Sequence, residues 1–458
     1  MIEFFNKYLF GICVPVLLIF SGIYYAILLR CFHLRRPLNI LKSLTKRKNS
    51  GGTSPFRALT LALAGTLGVG NIVGVTSAIA LGGFGAIFWM WISAICAMLL
   101  KYAEILLAMK HRVYDGNGAP HGAAMYYIKA FFSSISLRRF GGFIAGLFAL
   151  FCIVNSLTMG SMMQANAVAE ALEGVFSVPP LLCGTVMALF CLFIVSKGAN
   201  LMSRITEIVI PMASAGYIAV SVAVIFIQRE YLPDALRKII SDALTPSSAA
   251  GGALGFLLSR SLRFGTIRGL ISNEAGCGTA PAAHATSSSN EPVEQGFWGI
   301  FEVFVDTIVL CTMTALVLII NFDQLSFSGS WMMLCIEAYK AVLGEFAAAF
   351  LGISVLCFGA STIICWAHYG VESLSYLTSS KAARGLFITA YSLFVLLGTV
   401  FTSKNIWAIA DLAIGAMTMI NIFVLLGMRK TVKKETERYF EYINVKKKKI
   451  NKKVEKKC

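Results

Sequence analysis

Long apolar stretches separated by short polar connections extend through almost the whole chain. Eleven of them approach the length of a helix that crosses a lipid bilayer, which takes about 20 residues. They lie at about 8–30, 56–80, 86–109, 141–171, 180–196, 205–227, 250–285, 296–320, 346–378, 383–402 and 404–428. The first stretch lacks the basic start and the A-x-A site of a cleavable signal peptide. The pattern predicts an all-α polytopic membrane protein with about 11 transmembrane helices.

The composition supports this prediction and excludes several classes of protein. Of the 458 residues, 57% are hydrophobic and 14% are charged, and the mean hydropathy is +0.73. Soluble chains carry about 25% charged residues, so a disordered chain, a fibrous repeat and an ordinary soluble enzyme are all excluded. The twelve cysteines contain no C-x-x-C pair, and the five histidines form no ligand-spaced cluster. We therefore expect no disulfide framework, no metal site and no cofactor.

Basic residues gather in alternate connections, which predicts how the chain is oriented. The loops at 31–55 and 110–140 and the tail at 429–458 are rich in Lys and Arg. The tail has 13 basic against 4 acidic residues, so it supplies +9 of the net charge of +17. The positive-inside rule places the amino terminus outside and the carboxyl terminus in the cytoplasm. Nucleic acid could bind such a tail, but we favour anionic lipid heads and expect no nucleic acid.

Two apolar segments carry residues that weaken a helix in the middle of a membrane. The second contains four glycines within 65–74, next to Thr66 and Asn71. The seventh combines Gly, Pro, Asn and a carboxylate within 268–281. Freed backbone groups are tolerated at membrane depth only where they line a cavity or are buried in protein. We predict a broken helix at both places. The alternatives are small-residue packing between Gly70 and Gly74 and an extramembrane loop for the seventh segment.

The positions of the two predicted breaks suggest an internal repeat. Each break opens a group of five segments, and an odd number of crossings makes the two groups run in opposite directions. The predicted architecture is one N-terminal helix plus a 5+5 inverted repeat, which is typical of secondary transporters. The units would be 1–55, 56–227, 228–428 and the cytoplasmic tail 429–458, with an interfacial helix in the 228–249 loop. At a break, N–H groups attract a carboxylate and C=O groups suit a hard cation.

Several motifs resemble those of one family. They are GNIVGV at 70–75, AIALGG at 78–83, GAIFWMW at 85–91, KYAE at 101–104, SNEAG at 272–276, DT at 306–307 and ADL at 410–412. Together they resemble the alanine or glycine:cation symporter family, also called sodium:alanine symporters, over about 55–428. The resemblance implies a leucine-transporter-type fold and Na⁺-coupled symport of small neutral amino acids, chiefly alanine and glycine. Because no sorting signal is visible, we also expect the inner cell membrane, and we expect a monomer that is not an enzyme.

The resemblance also implies a set of binding residues. The substrate would meet Val69, Gly70, Asn71, Gln164, Cys277, Gly278, Thr362 and Trp366. The Na⁺ site would use backbone carbonyls of Ala64, Leu67 and Phe358 with the hydroxyls of Ser361 and Thr362. From the residues alone, Gln164 could be a structural helix–helix contact, and Ser361 and Thr362 could bond back to the preceding turn.

Other charged residues allow more than one interpretation. Lys101 and Glu104 lie on one helix face and suggest a structural pair or a gate latch. Glu302 and Asp306 could bind a cation, relay a proton or pair with arginine. Glu274 is expected to bond the unwound backbone or Arg268. In the eleventh segment, Ile414 and Ile420 replace residues common in the family, which argues against a polar role for that segment.

Alternatives concern the coupling ion, the stereochemistry of the substrate and the class of function. Coupling to H⁺ in place of Na⁺ is the main alternative, and the sequence does not decide between L- and D-amino acids. A channel would need a selectivity filter or rings of charge, and none is visible. A membrane enzyme would need a cluster of catalytic side chains, which the scattered histidines do not supply.

Overall fold

The structure is a computed structural model and is almost entirely helical. It describes residues 11–44, 53–116, 118–244, 260–327, 329–401 and 404–455. The predicted segments at 8–30 and 250–285 therefore begin outside the described residues, and part of the 31–55 loop also lies outside them. The helices are α1 Val14–Leu28, α2 Phe32–Arg35, α3 Pro37–Leu44, α4 Pro55–Thr66, α5 Val73–Gly82, α6 Gly85–His111, α7 Ala124–Ser134, α8 Arg138–Asn155, α9 Met163–Phe176, α10 Pro180–Lys197, α11 Ala199–Ile227, α12 Leu232–Ala243, α13 Arg260–Asn273, α14 Pro281–His284, α15 Pro292–Val303, α16 Thr312–Asn321, α17 Trp331–Leu343, α18 Glu345–Leu377, α19 Lys381–Val400, α20 Lys404–Gly427 and α21 Arg429–Glu455.

Short irregular pieces join or interrupt these helices. Ser156–Met162 and Phe304–Cys311 are π-helical and keep α8–α9 and α15–α16 continuous. Such π stretches are often found at functional sites. Val69–Asn71, Arg229–Tyr231 and Phe322–Gln324 form single 3₁₀ turns. Strands β1 (Val113–Tyr114) and β2 (Pro120–His121) pair antiparallel, with Val113 opposite His121.

Length and composition make most of the long helices able to cross a membrane. Within the described residues, nine helices qualify, or ten if α4 and α5 count as one span bent by 57°. The remaining predicted span is the seventh, whose described part is α13, the following turn and α14. The helix in the 228–249 loop is present as α12. The segment prediction missed α7 and α17, because both are too short or too polar to resemble a span.

Local sequence signals explain where several spans begin. Proline occupies an early helical position in α4, α10 and α15, where its missing N–H has no helical partner to lose. Ser54 caps α4 by accepting a hydrogen bond from the Arg57 backbone N–H at 3.2 Å. Ser330 and Ser380 cap α17 and α19 in the same way. These caps fix helix starts that the apolar pattern alone leaves several residues uncertain.

Burial separates a central group of helices from those that face lipid. The most apolar stretch of α6 is 83% buried, whereas that of α11 is only 28% buried. Helix α6 packs against α13 and α15, and α18 packs against α4 and α9. Large apolar side chains such as Phe226 and Leu386 are exposed on the outer helices, 66% and 72% respectively. The two predicted breaks therefore lie inside the protein, in contact with α6 and α18.

The basic tail forms helix α21, and its first half packs against the membrane helices. The Tyr102 hydroxyl lies 2.6 Å from the Thr436 hydroxyl, and Tyr439 donates to Glu294 at 3.2 Å. Lys110 pairs with Glu435. The tail was predicted only to face lipid heads, but the structure shows that its first half also holds the ends of α6 and α15.

Candidate functional site

The first break, residues 67–72, separates α4 from α5. Gly68 is extended, with φ −110° and ψ −159°. Its N–H donates to the Thr66 carbonyl at 2.9 Å. In a continuous α-helix that N–H would bond to the carbonyl of Ala64. The Ala64 carbonyl is thus released from the helical pattern at the point where the chain changes direction.

Thr362 of α18 meets this released carbonyl. Its Oγ1 lies 2.8 Å from the Ala64 oxygen and 2.9 Å from the Phe358 oxygen in its own helix. The back-bonding alternative and the predicted contact with the first break are therefore both present. One hydroxyl hydrogen serves two carbonyl oxygens, so three buried oxygens converge with a single proton among them. Oxygens of this kind are the ligands that hard cations prefer.

Gln164 supports the first break from α9. Its Oε1 accepts a hydrogen bond from the Val69 backbone N–H at 3.1 Å, and its Nε2 donates to the Met159 carbonyl at 3.3 Å. A Cβ atom on Gly68 would lie 2.7 Å from Thr362 Oγ1 and 2.9 Å from Gln164 Oε1. Only glycine allows both side chains to approach the backbone this closely.

A buried polar cluster joins the first break to α13 and to the π stretch after α15. Asn71 Nδ2 donates to Asp306 Oδ1 at 2.6 Å and to Ser272 Oγ at 3.1 Å. The hydroxyls of Ser272 and Thr307 donate to Asp306 Oδ2 at 2.8 and 2.7 Å. Asn71 Oδ1 is buried and accepts no hydrogen bond from the described residues. The cluster therefore offers a carboxylate and a spare amide oxygen beside the first break.

The second break, residues 274–280, follows α13. Glu274, Gly276 and Gly278 have φ values of 52°, 91° and 78°. These left-handed conformations end the helix and favour glycine. A Cβ on Gly278 would lie 2.9 Å from the Phe148 ring, so this position also needs glycine for space. The predicted interruption of the seventh segment is present, and the break is buried in protein.

Charged side chains of α6 hold the second break. Lys101 Nζ donates to the Asn273 carbonyl at 2.8 Å and lies 3.0 Å from Glu302. Glu104 accepts from the Gly278 backbone N–H at 3.0 Å. Lys101, Glu104 and Glu302 are all fully buried. Lys101 and Glu104 therefore act on the second break, each through its own partner.

Helix α20 completes the support of the second break. Asn421 Nδ2 donates to Glu104 and to the Gly276 carbonyl, at 2.5 and 2.9 Å. Its Oδ1 accepts from the Tyr127 hydroxyl at 2.5 Å. The expectation that the eleventh segment has no polar role is therefore wrong. Asn421 follows Ile420 directly, and a lone Asn in an apolar run was the signal that could have revealed it.

Two further carboxylates have partners that the sequence did not suggest. Glu302 Oε2 lies 3.0 Å from His284 Nε2, so its described partners are Lys101 and His284. Glu274 Oε2 accepts from the Thr279 hydroxyl at 2.6 Å, so its described hydrogen-bond partner lies within the unwound turn. The arginine partner considered for Glu302 is replaced by lysine and histidine, because α6 and α14 both pack beside α15.

The structure brings together some of the predicted binding residues more closely than others. Five of them lie around the first break: Ala64, Val69, Gln164, Phe358 and Thr362. Gly70 faces Ser272 of α13, a residue that is not among the predicted ones.

Leu67 and Ser361 are buried nearby, with no further side-chain contact among the described residues that fixes a role. Trp366 is buried in α18, packed on Gly160, with its ring 5.4 Å from the Tyr369 ring in an edge-to-face arrangement. Cys277 accepts from the Thr418 hydroxyl at 3.5 Å. Substrate contact by Cys277, Gly278 and Trp366 stays a prediction.

This arrangement has the chemistry to hold a small zwitterion and a cation. Carbonyl and hydroxyl oxygens converge at Thr362, and peptide groups are freed at both breaks. Asp306 and the Asn71 amide oxygen can receive positive charge. The site is built from backbone and neutral side chains on one side and from fixed charges on the other.

Comparison with known proteins gives matches along the whole chain. The model of the sodium:alanine symporter family matches residues 1–456. The chain is 33% identical over 444 residues to the sodium/alanine symporter AgcS of Methanococcus maripaludis, and the match covers 95% of this chain and 96% of the relative. It is 32% identical over 433 residues to the probable sodium/glutamine symporter GlnT of Bacillus subtilis, covering 93% and 87%.

A solved structure shares the fold at low sequence identity. It is the substrate-bound outward-open state of a Na⁺-coupled sialic acid symporter, with a TM-score of 0.54 and 12% identity. The likeness covers 93% of this chain and 87% of that one. It confirms the predicted fold class, a leucine-transporter-type helical core. At this identity it carries no information about substrate.

Proposed function

This chain belongs to the sodium:alanine symporter family, and we propose that it couples Na⁺ to the uptake of small neutral amino acids, chiefly alanine and glycine, by alternating access. Family membership confirms the predicted resemblance and makes the chain a multi-pass membrane transporter, with no enzymatic role. The observation that carries the finer proposal is the contact of Thr362 Oγ1 with the Ala64 carbonyl of the first break, at 2.8 Å.

Na⁺ is the coupling ion in this proposal because of the oxygens at Thr362. The carbonyls of Ala64 and Phe358 and the Thr362 hydroxyl are neutral ligands, which Na⁺ accepts and a proton does not need. Leu67 and Ser361 would complete the shell. A cation bound here would contact both α18 and the first break and so hold them together. Its release would allow α18 and the first break to separate, so ion binding would control the position of α4.

The substrate in this proposal is recognised through its backbone groups. The α-carboxylate would bind N–H groups at Val69 and Gly70, and Gln164 would give up or share its bond to Val69. The ammonium would meet Asn71 Oδ1, which accepts no hydrogen bond from the described residues. Cys277 and Gly278 would face the same substrate across the cavity. These groups are common to all amino acids, so they select the class and not the side chain.

Side-chain selectivity would come from the bulky walls. Trp366 and Gln164 would leave room for a hydrogen or a methyl group, and one extra methylene in such a pocket changes binding by about 1–3 kcal/mol. The relative GlnT is named as a probable sodium/glutamine symporter, so glutamine is the natural competitor to test. Trp366→Ala should improve competition by leucine and glutamine while weakening alanine uptake. No change in competition would remove Trp366 from the pocket wall.

The test of ion coupling uses purified protein in liposomes with labelled alanine. Thr362→Ala should raise the Na⁺ concentration for half-maximal uptake by about tenfold, which is ~1.4 kcal/mol, and Thr362→Ser should restore most of the loss. Ser354→Ala is the matched control, because the hydrogen bond that Ser354 makes among the described residues stays within α18, to the Phe350 carbonyl at 2.9 Å. Unchanged Na⁺ dependence in Thr362→Ala, or uptake driven by a pH gradient without Na⁺, would contradict the proposal.

We also place the protein in the inner cell membrane as a monomer, with the amino terminus outside and the carboxyl terminus in the cytoplasm. The motive is the distribution of basic residues at 31–55, 110–140 and 429–458. Cysteines introduced at 45 and 450 should resist an impermeant thiol reagent added to intact cells. Labelling of both cysteines from outside would contradict the proposed orientation.

A further inference from the structure

A short reversal of the chain follows α1, at one end of the membrane helices. Arg30 and Cys31 have φ values of 54° and 49°, so two successive non-glycine residues are left-handed. Helices α2 and α3 then lie beside α6 and α15. Leu34, Leu38 and Leu41 are exposed by 58%, 68% and 48%. Exposed leucines beside arginines are typical of a segment that lies at the membrane interface.

An apolar groove of about 400 Å³ lies beneath this segment. It is bounded by α2 and α3 on one side and by α6, α15 and the following π stretch on the other. Ten of its eleven lining residues are apolar, among them Ile95, Met98, Ile300 and Phe304. Phe304 is 44% exposed, so the groove opens toward the surface that faces lipid. Its chemistry suits a hydrocarbon chain.

His33 is the exception in the lining. Its side chain is buried, and its ring contacts the backbone of Ile95 through a hydrogen bond. The imidazole is therefore held by the wall of the groove. The remaining lining is apolar, so the groove suits a hydrocarbon chain.

The other side of α2 is basic. A second cavity, of about 390 Å³, is lined by Arg30, Arg35, Arg36 and Lys433, with only Glu437 and Glu441 as acidic residues. The Arg36 guanidinium lies 5.0 Å from the centre of the Phe440 ring, which holds it at this cavity. An apolar groove and a cationic patch thus follow one another across a single helical turn. The same order of groups occurs in a phospholipid with an anionic headgroup.

We propose that the groove between α3, α6 and α15 is a binding site for one anionic phospholipid of the bilayer. An acyl chain fills the groove, and the phosphate lies against Arg35 and Arg36. The site does not depend on the transport function proposed above, since it is defined by lipid contacts at the protein surface.

The test uses the full chain in nanodiscs of phosphatidylcholine that contain a small fraction of a photoreactive lipid. The probe is phosphatidylglycerol or phosphatidylcholine with a diazirine on one acyl chain, and labelled peptides are identified by mass spectrometry. Phosphatidylglycerol should label the peptides that contain Ile95 and Ile300. Arg35→Gln and Arg36→Gln should each lower that labelling by about fivefold, the effect expected for one basic residue at an anionic membrane surface.

Control variants separate this site from general lipid contact. Arg138→Gln and Arg139→Gln remove exposed arginines at the start of α8 and should leave labelling unchanged. Ile300→Trp should fill the groove and suppress labelling while gel-filtration behaviour stays normal. Equal labelling by both lipids, independent of Arg35 and Arg36, would overturn the proposal, as would labelling outside the groove only. Displacement of the probe by inorganic phosphate would show that the basic cavity binds free phosphate and not a lipid headgroup.

Discussion

The two breaks are held in place by different kinds of interaction. At the first, Gln164 and Thr362 touch the backbone through neutral groups, at 3.1 and 2.8 Å. At the second, Lys101 and Glu104 are fully buried and bond directly to the backbone at Asn273 and Gly278. A neutral hydrogen bond is worth about 1 kcal/mol, and breaking a buried charge pair costs about 3–5 kcal/mol.

This difference indicates that the two breaks have different roles. Neutral contacts at the first break can be exchanged at low cost for contacts with a substrate or an ion. Fixed charges at the second break keep its backbone in one conformation while that exchange takes place. We therefore infer that the first break is the adaptable part of the site and that the second is the rigid part. The following changes test this contrast, from the largest expected effect to the smallest.

Loss of Lys101 should damage the fold more than any change at the first break. Lys101→Met leaves Glu302 with only His284 as its described partner and should destabilise the protein by about 3–5 kcal/mol. The measurement is the unfolding midpoint of the purified protein in detergent. Lys110→Met is the control on the same helix. Lys110 pairs with Glu435 and is 37% exposed, so its loss should cost about 1 kcal/mol or less. Equal stability of the two variants would deny that the second break is fixed by charge.

A methyl group at Gly68 should impair both transport and stability. Its Cβ would lie 2.7 Å from Thr362 Oγ1, and overpacking of this kind destabilises a folded protein by about 1–3 kcal/mol. Gly68→Ala should therefore lower the unfolding midpoint less than Lys101→Met does, and the same strain at the first break should lower alanine uptake by about five- to 150-fold. Gly74→Ala is the matched control, since a Cβ there meets no atom of the described part of the chain within 4 Å. Normal uptake by Gly68→Ala would show that the first break has room that the structure does not indicate.

Asp306 supplies the charge between the two breaks, and its removal should have an intermediate effect. Asp306→Asn keeps the size of the side chain but loses charge-assisted bonds to Asn71, Ser272 and Thr307. We expect the alanine concentration for half-maximal uptake to rise by about tenfold, or ~1.4 kcal/mol. Asp323→Asn, at a side chain that is 84% exposed, is the control. Unchanged uptake would exclude Asp306 from ligand binding.

An ion pair away from both breaks should give the smallest effect, and one that depends on pH. His121 Nδ1 lies 3.0 Å from Glu372 in α18, and this contact raises the pKa of His121 above its usual range. Its contribution to stability is therefore full below about pH 6.5 and is lost as the pH rises through the raised pKa.

The difference in unfolding midpoint between wild type and His121→Gln should correspond to about 1 kcal/mol or less at pH 5.5 and should shrink at pH 8.5. A difference that grows with pH would contradict the assignment. A change in Na⁺ dependence in this variant would show that the far end of α18 affects the first break.

The amino-acid sequence alone determined the membrane class, the approximate spans and the position of both breaks. These properties follow from local causes: apolar length for the spans, and glycine, proline and polar residues within 65–74 and 268–281 for the breaks. The motifs were also sufficient to identify the family, because several of them occur in the same order along the chain.

Only the tertiary structure decided which side chains serve each break. Asn71 meets Asp306, Lys101 meets Glu302, and Asn421 meets Glu104. The two members of each pair are about 200 or more residues apart in the sequence, so no local pattern links them. Periodicity shows which residues share a helix face, but it carries no information about which helix will lie opposite. Buried polar groups find partners through the packing of distant helices, so the chemistry of the site was fixed by tertiary contacts while its location was fixed by the sequence.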